Sequence, residues 1–312
     1  MKNSIKKKSK ITLSVVIHTK NEEKMLADCL KSVLDIADEI IVADMNSTDD
    51  TKKIAKKFGA RIINVPEFGF ADPARNISLS KVTKDWVLVI DADERLTSAL
   101  RKGILSLIKK GEYDGARFPI KNIMLGKWIQ YGMRWPDYQN RLFRKGYAKW
   151  TDKIHEKAVY KGKIYEFPSK EKFGFIHYNC DSIEYLMEKT YRYASKEKYY
   201  DNQKNLNIES IYKRMEGDFP WRFFEHQGYK DGTHGLIVNK FMEVYRFLEF
   251  ALYWERSGKP EIATTQELKE LWDTEGKLIE TMKELNRIKD SKFYIFYKLY
   301  EKVKKTVRNN GK

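Results

Sequence analysis

Hydrophobic and polar positions along the first third of the chain alternate between two patterns. Trp86–Ile90 is an unbroken apolar run of strand length, as expected of a strand buried on both faces of a parallel sheet; Ile11–His18, which alternates poorly but is rich in Val, Ile and Thr, and the short stretches Glu39–Asp44 and Arg61–Val65 read as further strands. Between them apolar residues recur at helical spacing. Met25, Leu26, Cys29, Leu30, Val33 and Leu34 form one stripe, and Ser98 to Lys109 forms another. Asn46-Ser-Thr-Asp-Asp50 reads as the capped, acid-rich opening of a helix that runs through Phe58 and stops at Gly59. Pro73 is placed to start a further helix carrying Arg75 and Asn76. This β-α-β alternation predicts an α/β domain with right-handed crossovers.

From Gly115 the pattern changes. Ala116–Ile120, Gln139–Phe143, Trp150–Tyr160 and Phe173–Tyr178 read as short aromatic-rich strands, with a loop over Gly126–Asp137 whose aromatics suit a pocket. After Asp181 the chain reads as helical and polar. An aromatic and glycine-rich connection covers Phe219–Glu225 and Gly228–Gly235, followed by a broadly apolar helix over Ile237–Tyr253 and a charged amphipathic one over Glu261–Ile288. The expected organisation is a basic leader (1–10), an α/β domain (11–180) and a helical C-terminal region (181–312).

Composition narrows the class. A hydrophobic fraction of 42% with 33% charged residues describes a globular protein, and no apolar run is long enough to span a bilayer. The N-terminus lacks the apolar core of a signal peptide, and two isolated cysteines, Cys29 and Cys180, make neither a disulfide framework nor a zinc site. A cytoplasmic location is expected. The net charge of +16 admits anionic partners, but lysines such as Lys52, Lys53, Lys56 and Lys57 are scattered over helix faces, where solvation explains them. The Phe293–Arg308 tail mixes aromatics with cations, as helices at an anionic membrane surface do; a docking helix with a basic end is the competing reading. No motif supports nucleic-acid binding.

The chemistry gathers where strands end. Trp86–Ile90 stops at Asp91-Ala-Asp-Glu94, and carboxylates past the carboxyl end of a buried strand lie where open α/β sheets bind ligands. Two aspartates one residue apart suit a hard divalent cation that also takes phosphate oxygens. A solvated turn opening a helix, capped by Asp93 or Thr97, reads equally well. There is no G-x-G-x-x-G and no G-x-x-x-x-G-K-[ST], which disfavours a nicotinamide-binding domain and a P-loop ATPase. Asp137, close before Arg141-Leu-Phe-Arg144, and the dipeptide His155-Glu156 are weak signals taken singly.

In order, Ser14-Val-Val-Ile-His-Thr-Lys-Asn-Glu22, Ile41-Val-Ala-Asp-Met-Asn-Ser-Thr-Asp-Asp-Thr51, Ala74-Arg-Asn76 and Val89-Ile-Asp-Ala-Asp93 resemble the signature of glycosyltransferase family 2 over roughly residues 11–160. Asp137 with Arg141-Leu-Phe-Arg144, His155-Glu156 and Gly228–Gly235 resemble its lipopolysaccharide core β-glucosyltransferase branch. The sequence departs from the pattern at Met45, where many members carry an acid, and at His18, where proline is common.

The resemblance implies a GT-A fold and inverting transfer of a sugar from a nucleotide-diphosphate donor, a UDP-sugar, to a hydroxyl of a cell-envelope glycan or glycolipid acceptor. It implies Asp44, Thr19 and Glu22 around the base and ribose, and Arg75 on the base or diphosphate. Asp91 faces the ribose or a metal-bound water, and Asp93 holds Mg²⁺ or Mn²⁺, with His155 as a further ligand. Asp137 is the expected base, with Glu156 in reserve; Arg141 and Arg144 position phosphate or acceptor, or pair with nearby acids. The rival readings are a nucleotide-sugar-binding scaffold and a sugar-nucleotide nucleotidyltransferase.

Overall fold

The computed structural model describes residues 11–66, 72–150, 159–202, 206–271 and 273. His155, Glu156, most of the expected Trp150–Tyr160 strand and the Phe293–Arg308 tail lie outside them.

The α/β alternation is present. β1 (Leu13–Thr19), α1 (Leu26–Val33), β2 (Glu39–Asp44), α2 (Thr51–Lys57), β3 (Arg61–Asn64), α3 (Asp72–Leu79) and β4 (Trp86–Asp91) follow in order. β5 (Glu94–Arg95), α4 (Ser98–Lys110), β6 (Gly115–Met124), β7 (Lys127–Trp128) and β8 (Asp137–Arg144) come next. β9 (Ala148–Lys149), β10 (Val159–Tyr160), β11 (Ile164–Glu166) and β12 (Phe175–Cys180) complete the strands.

The main sheet runs β3-β2-β1-β4-β8-β6-β12-β5. β1 pairs in parallel with β2 and β4, and β2 with β3. β8 runs antiparallel between β4 and β6, while β12 is parallel to β6. The carboxyl ends of β1, β2, β4, β6 and β12 and the amino end of β8 therefore share one edge of a mostly parallel sheet.

The apolar character of β1 and β4 has a direct cause. Val15, Ile17, Leu88 and Ile90 face a core closed by Leu26, Leu30 and Val33 of α1 and Leu100 and Ile104 of α4. Val16, Val87 and Val89 face a second core with Phe143 and Trp150. Every residue of β1 is buried, so no position is left for a polar alternation. Each such fully buried aliphatic side chain is worth about 1.5–3 kcal/mol. α4 starts at Thr97, whose side chain accepts the Leu100 N–H, and ends at Gly111 in the left-handed region.

The described residues up to Ser182, except Tyr131–Met133, form one compact unit; Tyr131–Met133 belong with the residues from Ile183 onward in a second. The second unit is helical, with α5 (Ile183–Ala194), α6 (Ile208–Pro220) and α7 (Thr233–Arg256). Phe219–Glu225, expected as a connection, is helical instead: α6 runs into one π-helical turn over Trp221–Glu225. Phe219 stacks on Phe223 there, so the aromatics pack along the helix. Among the described residues no helix is long and apolar enough to cross a membrane.

Candidate active site

The loops that follow β1 and β2 are laced together. Asn21 N–H donates to Ser47 Oγ at 2.9 Å, and its side chain accepts the Thr48 N–H at 2.8 Å. Glu22 N–H donates to Thr51 Oγ1 (2.8 Å), Glu23 N–H to Asp49 Oδ2 (3.0 Å), and Asp50 N–H to Glu23 Oε2 (3.0 Å). Asn21 and Asn46 both adopt positive φ, at 54° and 58°, a conformation asparagine tolerates better than most residues. Asn46–Asp50 is thus a turn, and α2 begins only at Thr51. The small polar residues of these stretches build the edge itself.

Thr19 and Asp44 end adjacent strands in register. Asp44 is fully buried; its Oδ2 accepts the Ser47 N–H and lies 3.1 Å from Lys52 Nζ. Lys52, one of the lysines expected on a solvated face, is therefore drawn into the site. Among the described residues Asp44 Oδ1 and Thr19 Oγ1 have no hydrogen-bond partner although both are buried. Glu22 occupies the turn into α1, where its carbonyl accepts the Leu26 N–H.

Arg75 and Asp91 meet each other. Arg75 Nη2 lies 3.0 Å from Asp91 Oδ1, and Arg141 Nη2 lies 2.9 Å from Asp91 Oδ2 and 2.6 Å from Glu94 Oε1. Burial pushes the Asp91 carboxyl up, but Arg141 and Arg75 outweigh it and hold the group well below the usual carboxylate range. Burial likewise pushes Glu94 up, against Arg141. Both Glu94 oxygens nonetheless accept hydrogen bonds, Oε2 from the Asp91 N–H at 2.9 Å, which is the arrangement of an ionised carboxylate. Beneath this cluster His18 Nε2 lies 2.9 Å from Ser78 Oγ. The Ser78 hydroxyl donates to the Arg75 carbonyl at 2.8 Å, so His18 Nε2 carries the proton. Desolvation, reinforced by Arg75, holds His18 down to about 3.

Asp93 faces a histidine, but not the expected one. His177 Nε2 lies 3.2 Å from Asp93 Oδ2, and Glu94, the residue after Asp93, pairs with His177 across β5 and β12. His177 Nδ1 lies 2.8 Å from Asn122 Oδ1, whose amide nitrogen donates to the Arg134 carbonyl. That polarity makes Nδ1 the donor and turns Nε2 toward the carboxylate. A bulge places Asn179 beside both side chains, at 3.4 Å from His177 Nδ1. An oriented imidazole nitrogen opposite a carboxylate oxygen fits a divalent cation. Among the described residues no cluster of three or more His, Cys, Asp or Glu side chains suits a metal. The two would thus leave positions for phosphate oxygens and water.

Asp137 opens β8 at the same edge, with its Oδ1 accepting from Gln139 Nε2 at 3.1 Å. It pairs with Ile120, which is also the partner of Phe175. Strand alternation therefore puts Asp137 on the sheet face that carries Asn122 and His177 two residues further along. Arg144 reaches Asp114 at 3.0 Å, away from this edge.

The family model described as "Glycosyl transferase family 2" matches residues 14–167. An uncharacterised glycosyltransferase of Rickettsia typhi is 31% identical over 268 residues, covering 79% of this chain and 88% of that one. The chain belongs to glycosyltransferase family 2. A second relative, the lipopolysaccharide core biosynthesis glycosyltransferase LpsC of Rhizobium meliloti, is 26% identical over 79% of this chain and 93% of its own. Among solved structures, glucosyl-3-phosphoglycerate synthase from Mycobacterium tuberculosis, in complex with Mn²⁺, UDP and glucosyl-3-phosphoglycerate, is 27% identical with a TM-score of 0.30. That match covers 37% of this chain and 45% of the synthase. Within the glycosyltransferase, family motifs supplied Thr19, Asp44, Arg75, Asp91 and Asp93. His177, Asn122 and Lys52 were missed, the first two because they meet the site only through strand register; Glu94 lay in the quoted Asp91–Glu94 turn but was given no role.

Proposed function

We propose that this glycosyltransferase transfers a sugar, with inversion, from a nucleoside-diphosphate donor of the UDP class to a hydroxyl of a cell-envelope glycan or glycolipid. The observation that carries the donor site is the concentration of buried, unsatisfied or acid-rich groups along one sheet edge: Thr19 Oγ1, Asp44 Oδ1 and the Asp93–His177 pair. Buried polar atoms left without a partner cost stability and call for a ligand. Asp44, Thr19 and Glu22 suit the N–H and hydroxyl groups of a pyrimidine nucleoside, with Arg75 toward the diphosphate. Asp93 and His177 are the residues that would hold Mg²⁺ or Mn²⁺; His155, outside the described residues, remains a third candidate. When bound, the cation offsets the negative charge that the departing diphosphate gathers.

Asp137 is assigned as the base. It takes the acceptor hydroxyl's proton while that oxygen bonds to the anomeric carbon and the bond to the nucleoside diphosphate breaks, the diphosphate leaving with the electron pair. Such a base contributes about 10²–10⁴-fold; Glu156 is the reserve. The envelope acceptor rests on the name of the LpsC relative, and contact with an anionic membrane surface on the basic, aromatic tail.

Thermal stability with UDP, GDP, CDP and dTDP, with and without Mn²⁺, tests the donor site. A ligand at a hundredfold excess over its dissociation constant stabilises by about 2.7 kcal/mol. A manganese-dependent shift with one nucleotide, lost in Asp93→Ala, is the expected result, and no shift with any of them refutes the donor site. Asp137→Asn should keep the shift and lose transfer; a variant that still transfers removes Asp137 from the role of base.

A further inference from the structure

The Asp91–Arg95 turn is fixed by two arginines, only one of which acts on backbone oxygens. Arg95 Nη1 donates to the carbonyls of Ala92 (2.7 Å) and Glu94 (2.8 Å), and its Nη2 to that of Met25 (2.7 Å). Arg141 acts on the carboxylates instead. It owes its aim to an irregularity in β8: the pairing with β6 passes from Leu142↔Ala116 to Asn140↔Arg117, so that Arg141 is the bulged residue. Bulges re-aim single side chains beside active sites. Arg141 is nearly buried, its Nη2 alone contacts both Asp91 and Glu94, and its Nε and Nη1 have no hydrogen-bond partner among the described residues.

A buried ion cluster with unsatisfied donors is a poor source of stability, because well-packed apolar residues do as well or better. Its effect here is on shape. Glu94 Oε2 closes the turn on the Asp91 N–H, the Asp93 carbonyl accepts the Tyr178 N–H, and β5 pairs with β12 beside His177. We propose that Arg141 is a positioning residue that grips Asp91 and Glu94 and so holds the turn in the shape that presents Asp93 beside His177. The assignment rests on the reading of Asp93 and His177 as the donor's cation site.

The test compares wild type with Arg141→Lys, which keeps the charge but not the planar reach, and with Arg141→Met/Glu94→Gln, which removes the buried charge pair. Manganese and UDP dissociation constants come from titration calorimetry, and folding from urea denaturation. Residues that orient metal ligands are worth about 10–100-fold in metal affinity. The expected result is a manganese affinity lowered by that factor in both variants, while the double variant keeps a urea midpoint close to wild type. Wild-type manganese affinity in either variant overturns the assignment alone. Wild-type protein that binds no manganese with UDP overturns the donor-site reading and this assignment with it.

Discussion

His18 makes the acid stability of this protein a direct report on the buried cluster. In the folded chain its pKa is held down to about 3 from an ordinary 6.5, chiefly by burial and then by Arg75. The unfolded chain therefore takes up a proton below pH 6.5 that the folded chain refuses. Above that pH His18 has no effect on the balance; below it, stability falls by about 1.36 kcal/mol per pH unit. Two units down, at pH 4.5, the loss is about 2.7 kcal/mol, and it continues until the folded imidazole titrates near 3. Asp91, whose folded pKa is depressed below an ordinary carboxyl, adds its own loss at still lower pH. The upward push on Glu94 acts in the opposite sense around its own range. The clean measurement is the difference between wild type and His18→Gln, which can still donate to Ser78. Urea denaturation of both proteins at pH 7, 6, 5 and 4.5 should show the wild type losing about 2–3 kcal/mol relative to the variant across that span. Parallel profiles would refute the neutral, buried imidazole and the network derived from it.

Other substitutions probe separate links. Asn76 accepts the Trp150 N–H at 3.0 Å and donates to its carbonyl at 2.8 Å, so Asn76→Ala should cost about 2–3 kcal/mol in urea denaturation. A Cβ at Gly103 would stand 2.8 Å from Phe167 Cε1, and Gly103→Ala should lower stability by about 1–3 kcal/mol through overpacking. Titration calorimetry of His177→Ala should show manganese affinity reduced by at least about tenfold. Magnesium should be affected less, since imidazole suits manganese better.

The parallel half of the fold was legible because its cause is local. β1 and β4 are buried almost throughout, β4 reading as an unbroken apolar run and β1 as a stretch rich in Val and Ile, and α1 and α4 show one stripe each. Strand ends then place Thr19, Asp44 and Asp91 at the edge without knowledge of anything distant. The Asn46–Asp50 stretch was misjudged as a helical first turn because its caps are real but serve the neighbouring loop through Asn21 and Glu23. Lys52 looked like its solvated neighbours on α2; only the depth of Asp44 distinguishes it.

His177 and Arg141 mark where periodicity stops informing. The strand containing His177 was legible, yet its neighbour is set by the parallel register with β6 and the antiparallel one with β5, and no residue count along the chain contains those pairings. Arg141 is harder still. In a regular β8 alternation aims residue 141 with 137 and 139, but Leu142 faces the core that also holds Phe118, the partner of Gln139. One extra residue has to be absorbed between them, and it is the arginine. The bulge costs ladder hydrogen bonds and the buried guanidinium costs desolvation, so both run against what would stabilise β8 by itself. Local sequence logic is expected to fail where a site imposes its own geometry. Of the two bulged residues, Arg141 grips Asp91 and Glu94 on either side of Asp93 in the chain and Asn179 lies beside His177, which puts both failures next to the place where the chemistry is assigned.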